Sequence, residues 1–96
     1  MKIVFLPPAF KELEDAINYY NFQLENLGDQ FYQEFLEASL LIRNFPSIWH
    51  KTGKYSRRFV LRRFPYMILF VAESDKIIIT AVAHQHRHPE SYNRSL

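Results

Sequence analysis

Two apolar runs near the end of the chain leave it little freedom. Residues 66–72 (YMILFVA) and 77–83 (IIITAVA) are rich in β-branched and aromatic side chains, with a polar break at Ser74-Asp75 between them. Runs of this length on either side of turn residues form a β-hairpin. A third run, Phe59 to Leu61, precedes the hairpin and is bracketed by Arg57, Arg58, Arg62 and Arg63. The last run empties into His84, His86, Arg87, His88, Pro89 and Tyr92. The expectation is a short antiparallel sheet flanked by arginine at one end and by histidine, arginine and tyrosine at the other. Such groups bind phosphate or acidic partners.

The first half of the chain supplies packing for that sheet. Residues 2–6 (KIVFL) are β-prone and end at Pro7-Pro8. Proline opens a helix at no cost, because the first helical N–H groups have no intrahelical acceptor. Phe10, Leu13, Ile17, Tyr20 and Leu24 recur at three- and four-residue steps, which predicts a helix over 8–24 with one apolar face. Glu12, Glu14 and Asp15 fall in its early turns, where the helix dipole favours negative charge. Leu27-Gly28 reads as its stop, with Gly28 as the left-handed cap, and Asp29 as the N-cap of a second helix. Phe31, Phe35, Ala38 and Ile42 continue the helical stripe until Asn44-Phe45-Pro46. Two helices joined so closely form an antiparallel hairpin. Residues 46–56 (PSIWHKTGKYS) are then a loop. The order strand, helix, helix, three strands predicts one α+β domain over 1–96, its helical hairpin on one face of a small, mainly antiparallel sheet.

Composition narrows the function. At 96 residues and 48% hydrophobic, the chain fills one modest core. It has no cysteine, which excludes disulfides and thiolate metal sites. The start, MKIVFLPPAF, lacks a signal-peptide core, and no apolar run approaches the roughly 20 residues of a membrane span. The expectation is a cytoplasmic protein with no membrane partner. The net charge of +2 is unevenly placed. Up to His50 there are three bases and seven acids, a balance of −4; from Lys51 on there are nine bases and three acids, a balance of +6. Such asymmetry suggests a basic face for an anionic target, with Lys51, Lys54, Arg58, Arg62, Arg63 and Arg87 as the binding candidates; the other reading is solvated charge whose arginine stems cover apolar surface.

Histidines 84, 86 and 88 alternate, so an extended strand would put them on one face. No Asp, Glu or Cys stands beside them to complete a metal site, and none is expected. Metal-free phosphodiester cleavage is the alternative chemistry. It needs groups that move protons near neutral pH and cations that hold the phosphate. His84, His86, Arg87 and Tyr92 are the catalytic candidates, with Arg62 and Arg63 adding charge if the sheet brings them near. No glycine-rich phosphate loop or nucleophile elbow is present, and no cofactor is expected. Trp49 and Tyr55 stand in the basic loop as possible stacking surfaces or as core and partner contacts.

The chain resembles toxins of bacterial type II toxin–antitoxin modules, the RelE/ParE superfamily. The resemblance is carried by AFKELEDAINYY at 9–20, Leu27-Gly28 with Phe31 and Glu34, Phe45-Pro46, the Arg-Arg-Phe-Pro-Tyr run at 62–66, and AVAHQHRHP at 81–89 with Tyr92. It implies the same α+β fold and an antitoxin partner. The Phe64-Pro65-Tyr66 turn and the histidine-rich ending look more like the ParE and plasmid-stabilisation branch. That branch implies inhibition of DNA gyrase by binding. The RelE branch implies a ribosome-dependent endoribonuclease acting on messenger RNA. In the ParE reading Arg62, Arg63, His84, Arg87 and Tyr92 contact the target. In the RelE reading His84 or His86 is the general acid or base, Arg62 and Arg87 hold the phosphate, and Tyr92 donates a hydrogen bond. A binding module without toxicity is the third class.

Overall fold

The computed structural model describes residues 1–86. The elements run β1 (Lys2–Phe5), α1 (Pro7–Gln23), α2 (Leu27–Asn44), β2 (Ser56–Val60), β3 (Tyr66–Ala72) and β4 (Lys76–His84). They form the expected α+β arrangement, a four-stranded sheet in the order β1-β4-β3-β2. β2, β3 and β4 are antiparallel neighbours, while β1 lies parallel to β4 with Lys2 opposite Lys76 and Phe5 opposite Ile79. The first strand therefore pairs with the last.

The main core lies between the helices and one face of the sheet. Ala9, Leu13 and Ala16 of α1 and Phe31, Phe35, Ala38 and Ile42 of α2 meet Ile68, Phe70, Ile77, Ile79 and Val82. Burying each large side chain there contributes roughly 1.5–3 kcal/mol. The other face has its own small cluster of Met67, Leu69, Ala81 and Ala83, which contains no helix residue. From Met67 to Val71, β3 is thus buried on both faces. That is why its sequence runs apolar without alternation.

β4 carries one extra residue. Phe70 faces Ile79 while its neighbour Leu69 faces Ala81, so the register shifts across Thr80. A bulge of this kind flips the side-chain alternation of everything beyond it. Ile77 and Ile79 point to the helices before the bulge; Val82 does so after it.

The helix hairpin departs from expectation at its turn. Gly28 is not the cap of α1 and Asp29 is not the N-cap of α2. Asn26 takes the left-handed conformation, with φ of 67°, and is itself the N-cap. Asparagine tolerates that region better than other residues with a Cβ. Gly28 sits inside the first turn of α2, where a Cβ would lie 2.1 Å from the Ile17 carbonyl oxygen and 2.7 Å from Asn21 Cγ. Glycine is needed for close helix approach, not for a turn. The Gly28 N–H donates to Asn21 Oδ1 at 2.7 Å, and Asn21 Nδ2 donates to Asp29 Oδ1 at 3.2 Å. A side chain of α1 thereby satisfies an open N–H of α2. Glu12 follows the first turn of α1, which itself holds no acid. Its carboxylate accepts the Val82 N–H at 3.1 Å, just beyond the last β1–β4 pair.

Gly28→Ala is expected to destabilise the protein by about 2–3 kcal/mol, as overpacking against a fixed backbone does. Thermal denaturation should show this as a fall in Tm of roughly 10–20 °C for a chain of this size. An unchanged Tm would mean that α1 and α2 separate without cost.

Candidate functional site

The turn after β2 and the end of β4 come together. Antiparallel pairing puts Tyr66 opposite His84, and the Gln85 N–H donates to the Pro65 carbonyl at 2.8 Å. The arginine turn and the histidines, expected at opposite ends of the sheet, are instead brought to the same end by the antiparallel pairing of β3 with β4. Lys51 and Lys54 lie at the other end, in a pocket with Arg57, Ala72 and Glu73. The five residues of β2 separate the two groups by roughly 15 Å of strand.

The arginine turn is held by α2. Glu34 is buried, and its carboxylate accepts the backbone N–H groups of Arg62 and Arg63. Arg63 Nε also donates to Glu34 Oε1 at 3.2 Å, and the Arg63 guanidinium lies 5.7 Å from the Phe64 ring centroid. Arg63 is thus engaged within the fold. Arg62 is exposed and forms no ion pair among the described residues. Glu34, Glu37, Arg62 and Arg63 line a cavity of about 310 Å³ beside the turn. Arg58 is exposed on β2 opposite Leu69, so it belongs to the sheet face turned away from the helices.

Beyond the bulge His84 falls on the helix side of the sheet. Its ring meets Tyr66 edge-on at 5.4 Å and His86 at 5.3 Å, and its Nδ1 accepts the His86 N–H at 3.2 Å. Tyr66 continues into a ring cluster with Tyr20, Phe31 and Phe64, with centroids 4.9–6.0 Å apart. Burial pushes the Tyr20 phenol above its ordinary value, and the neighbouring phenols of Tyr66 and Tyr19 act in the same direction. Glu12, Asp15, Tyr19 and Tyr66 line a cavity of about 390 Å³ on this flank. Arg87, His88 and Tyr92 lie outside the described residues. Among the described residues no group of three or more metal-ligating side chains comes together.

The model of the family described as ParE toxin of type II toxin-antitoxin system, parDE, matches residues 3–89. The chain belongs to the ParE toxin family. A solved structure described as a chromosomal ParDE toxin–antitoxin system from P. aeruginosa is similar in fold, with a TM-score of 0.76. The two are 15% identical, over 88% of this chain and 95% of that one. No curated protein sequence matches the chain. As a ParE toxin it has an antitoxin partner, and among its described residues no helix is long and apolar enough to cross a membrane. The Glu34 clamp on the arginine turn is the part of the site that residue types alone did not reveal. One signal for it exists: Glu34 falls three residues after Phe31 and four before Ala38, on the stripe that faces the core.

Two measurements probe this end of the ParE toxin. Glu34→Ala should cost about 2–4 kcal/mol in urea denaturation, because two backbone N–H groups lose a charged acceptor. Glu34→Gln, which keeps one acceptor oxygen, should recover about half of it. For Tyr20, the unfolded phenol ionises near 10 and the folded one higher. The native state therefore holds the proton longer, and stability is full below about pH 10 and lost as pH rises through the folded value. Tyr20→Phe should flatten that alkaline fall in a series of Tm against pH.

Proposed function

We propose that this ParE toxin stops growth by binding a protein target, DNA gyrase, in the cytoplasm, and that it does not cut RNA. One observation carries this reading. Transesterification of RNA needs a base, an acid and a phosphate-holding cation around one atom. Here His84 faces the helix side of the sheet beside Tyr66, and its Nδ1 already accepts a backbone N–H. Lys51 and Lys54 are a strand's length away. The opposite sheet face carries Met67, Leu69, Ala81 and Ala83, none of which moves a proton. A docking surface suits this arrangement better: Arg62 exposed on a turn held by Glu34, at the same end of the sheet as His84 and His86, with Arg87 and Tyr92 following in sequence.

The antitoxin has a separate place to bind. β1 is an edge strand, and beside it Ile3, Phe5, Phe10, Ile17, Tyr32 and Leu36 line an apolar cavity of about 360 Å³. Phe10, Tyr32 and Leu36 are exposed there. An amphipathic antitoxin segment that lays apolar residues into this groove, or adds to the strand edge, would fold as it binds.

The test pairs two readouts. Purified toxin should inhibit plasmid supercoiling by purified gyrase, while primer extension on transcripts after induction should show no new ends. Arg62→Ala should weaken inhibition by about ten-fold, the effect of losing about 1.4 kcal/mol of binding. His84→Ala/His86→Ala should retain inhibition within a few-fold. New 5′ ends in translated frames, lost by about 10²-fold in the histidine variant, would establish the ribonuclease instead. Absence of any growth effect would favour the non-toxic binding module.

A further inference from the structure

The cations at the far end of β2 have no part in the gyrase reading, and they form a built site. The segment between α2 and β2 is tied down at several points. Lys51 and Arg57 form a β-bridge, the Arg58 N–H donates to the His50 carbonyl at 2.9 Å, and the Thr52 N–H donates to the Ser56 carbonyl at 2.9 Å. The Arg57 guanidinium donates to the Trp49 carbonyl at 2.7 Å, and the Trp49 ring packs on Phe59 with centroids 4.6 Å apart. The loop is therefore a fixed rim. It borders a cavity of about 320 Å³ lined in part by Lys51, Lys54, Arg57, Ser47, Ser56 and Tyr55.

No acid among the described residues neutralises these cations. Among the described residues none of Lys51, Lys54 and Arg57 forms an ion pair. The acid on the wall, Glu73, is 3.6 Å from Lys76 Nζ and so is already countered. Three cations and two hydroxyls around one cavity suit a doubly or singly charged oxyanion. A flat apolar surface adjoins them. The Tyr55 ring is 71% exposed, and the Lys54 ammonium lies 5.4 Å from its centroid. A phosphate pocket next to an exposed ring matches a nucleotide whose base is free to stack. An acidic peptide would use the cations but leave the ring idle. A duplex keeps its bases stacked inside and could not use the ring either.

We propose that this pocket binds the sugar-phosphate backbone of a single-stranded nucleic acid, with phosphate held by Lys51, Lys54 and Arg57 and a base stacked on Tyr55. The site is independent of the surface around Arg62, so either can fail without the other.

Fluorescence anisotropy with labelled single strands of about 12 nucleotides, DNA and RNA in separate arms, tests it between about 50 and 200 mM salt. Binding should weaken with salt by a slope near 0.7 per phosphate contact. Lys51→Ala/Lys54→Ala should bind about ten-fold or more weakly and lose about one unit of slope. Tyr55→Ala should bind about ten-fold more weakly at unchanged slope, the size of one lost stack, and Tyr55→Phe should restore affinity. Lys11→Ala/Arg43→Ala, which removes the same charge from the helices, should bind as the parent chain does. The ratio of the DNA and RNA arms then names the source of the strand. Equal loss in the helix variant would reduce the binding to net charge and overturn the site. So would a duplex that binds as well as the single strand, or displacement by a glutamate peptide as efficient as by unlabelled strand. Absence of salt-dependent binding would overturn it outright.

Discussion

One extra residue in β4 decides what the end of the sheet presents. Up to Ile79 the strand alternates in step with Phe70 and faces the helices at odd positions. Past Thr80 the parity is reversed, and Val82 and His84 turn to the helix side while Ala81 and Ala83 turn away. Without that bulge His84 would stand on the opposite face, next to Met67 and Leu69. With it, the histidine becomes a neighbour of Tyr66 and the aromatic cluster. A backbone irregularity thus determines whether a strand-end imidazole is available to a ligand lying across the far face or belongs to the edge of the core.

The second constraint ties helix to sheet by carboxylates. Glu34 accepts N–H groups from the β2–β3 turn, and Glu12 accepts one from β4 where β1 has run out. Both place a charged acceptor opposite backbone donors that would otherwise be left open near the core. The helices therefore do more than cover apolar surface. They finish the hydrogen bonding of a sheet too small to finish its own.

How much of this was legible depends on whether the cause was local. The bounds 66–72 of β3 follow directly from its composition, because a strand buried on both faces reads as one apolar run. The first helix is displaced by one residue from its periodicity, and the order of elements holds. Glycine after leucine at Leu27-Gly28 looks like a helix stop. Its real role, contact with the Ile17 carbonyl, belongs to the crossing of two helices and has no local trace. Asn26 carried the left-handed turn instead. The bulge also lacks a clear sequence sign, since Thr80 sits in IIITAVA as any strand threonine would. Of the site, the residue types were legible but not their grouping. Arg62, Arg63, His84 and His86 come to one end, and Lys51 and Lys54 to the other, because antiparallel pairing folds sequence neighbours apart and distant ones together.

The parallel pairing of β1 with β4 has a temporal side. Lys2 finds its partner only when Lys76 exists, so closing that contact spans most of the chain. A chain emerging from the ribosome makes its helical hairpin first, from neighbouring residues, and must wait for its last strand before the first can dock. Until then the apolar stripe of both helices has no floor. The sheet is therefore completed by a late step. An antitoxin segment that laid itself along β1 in that interval would meet an unfinished sheet.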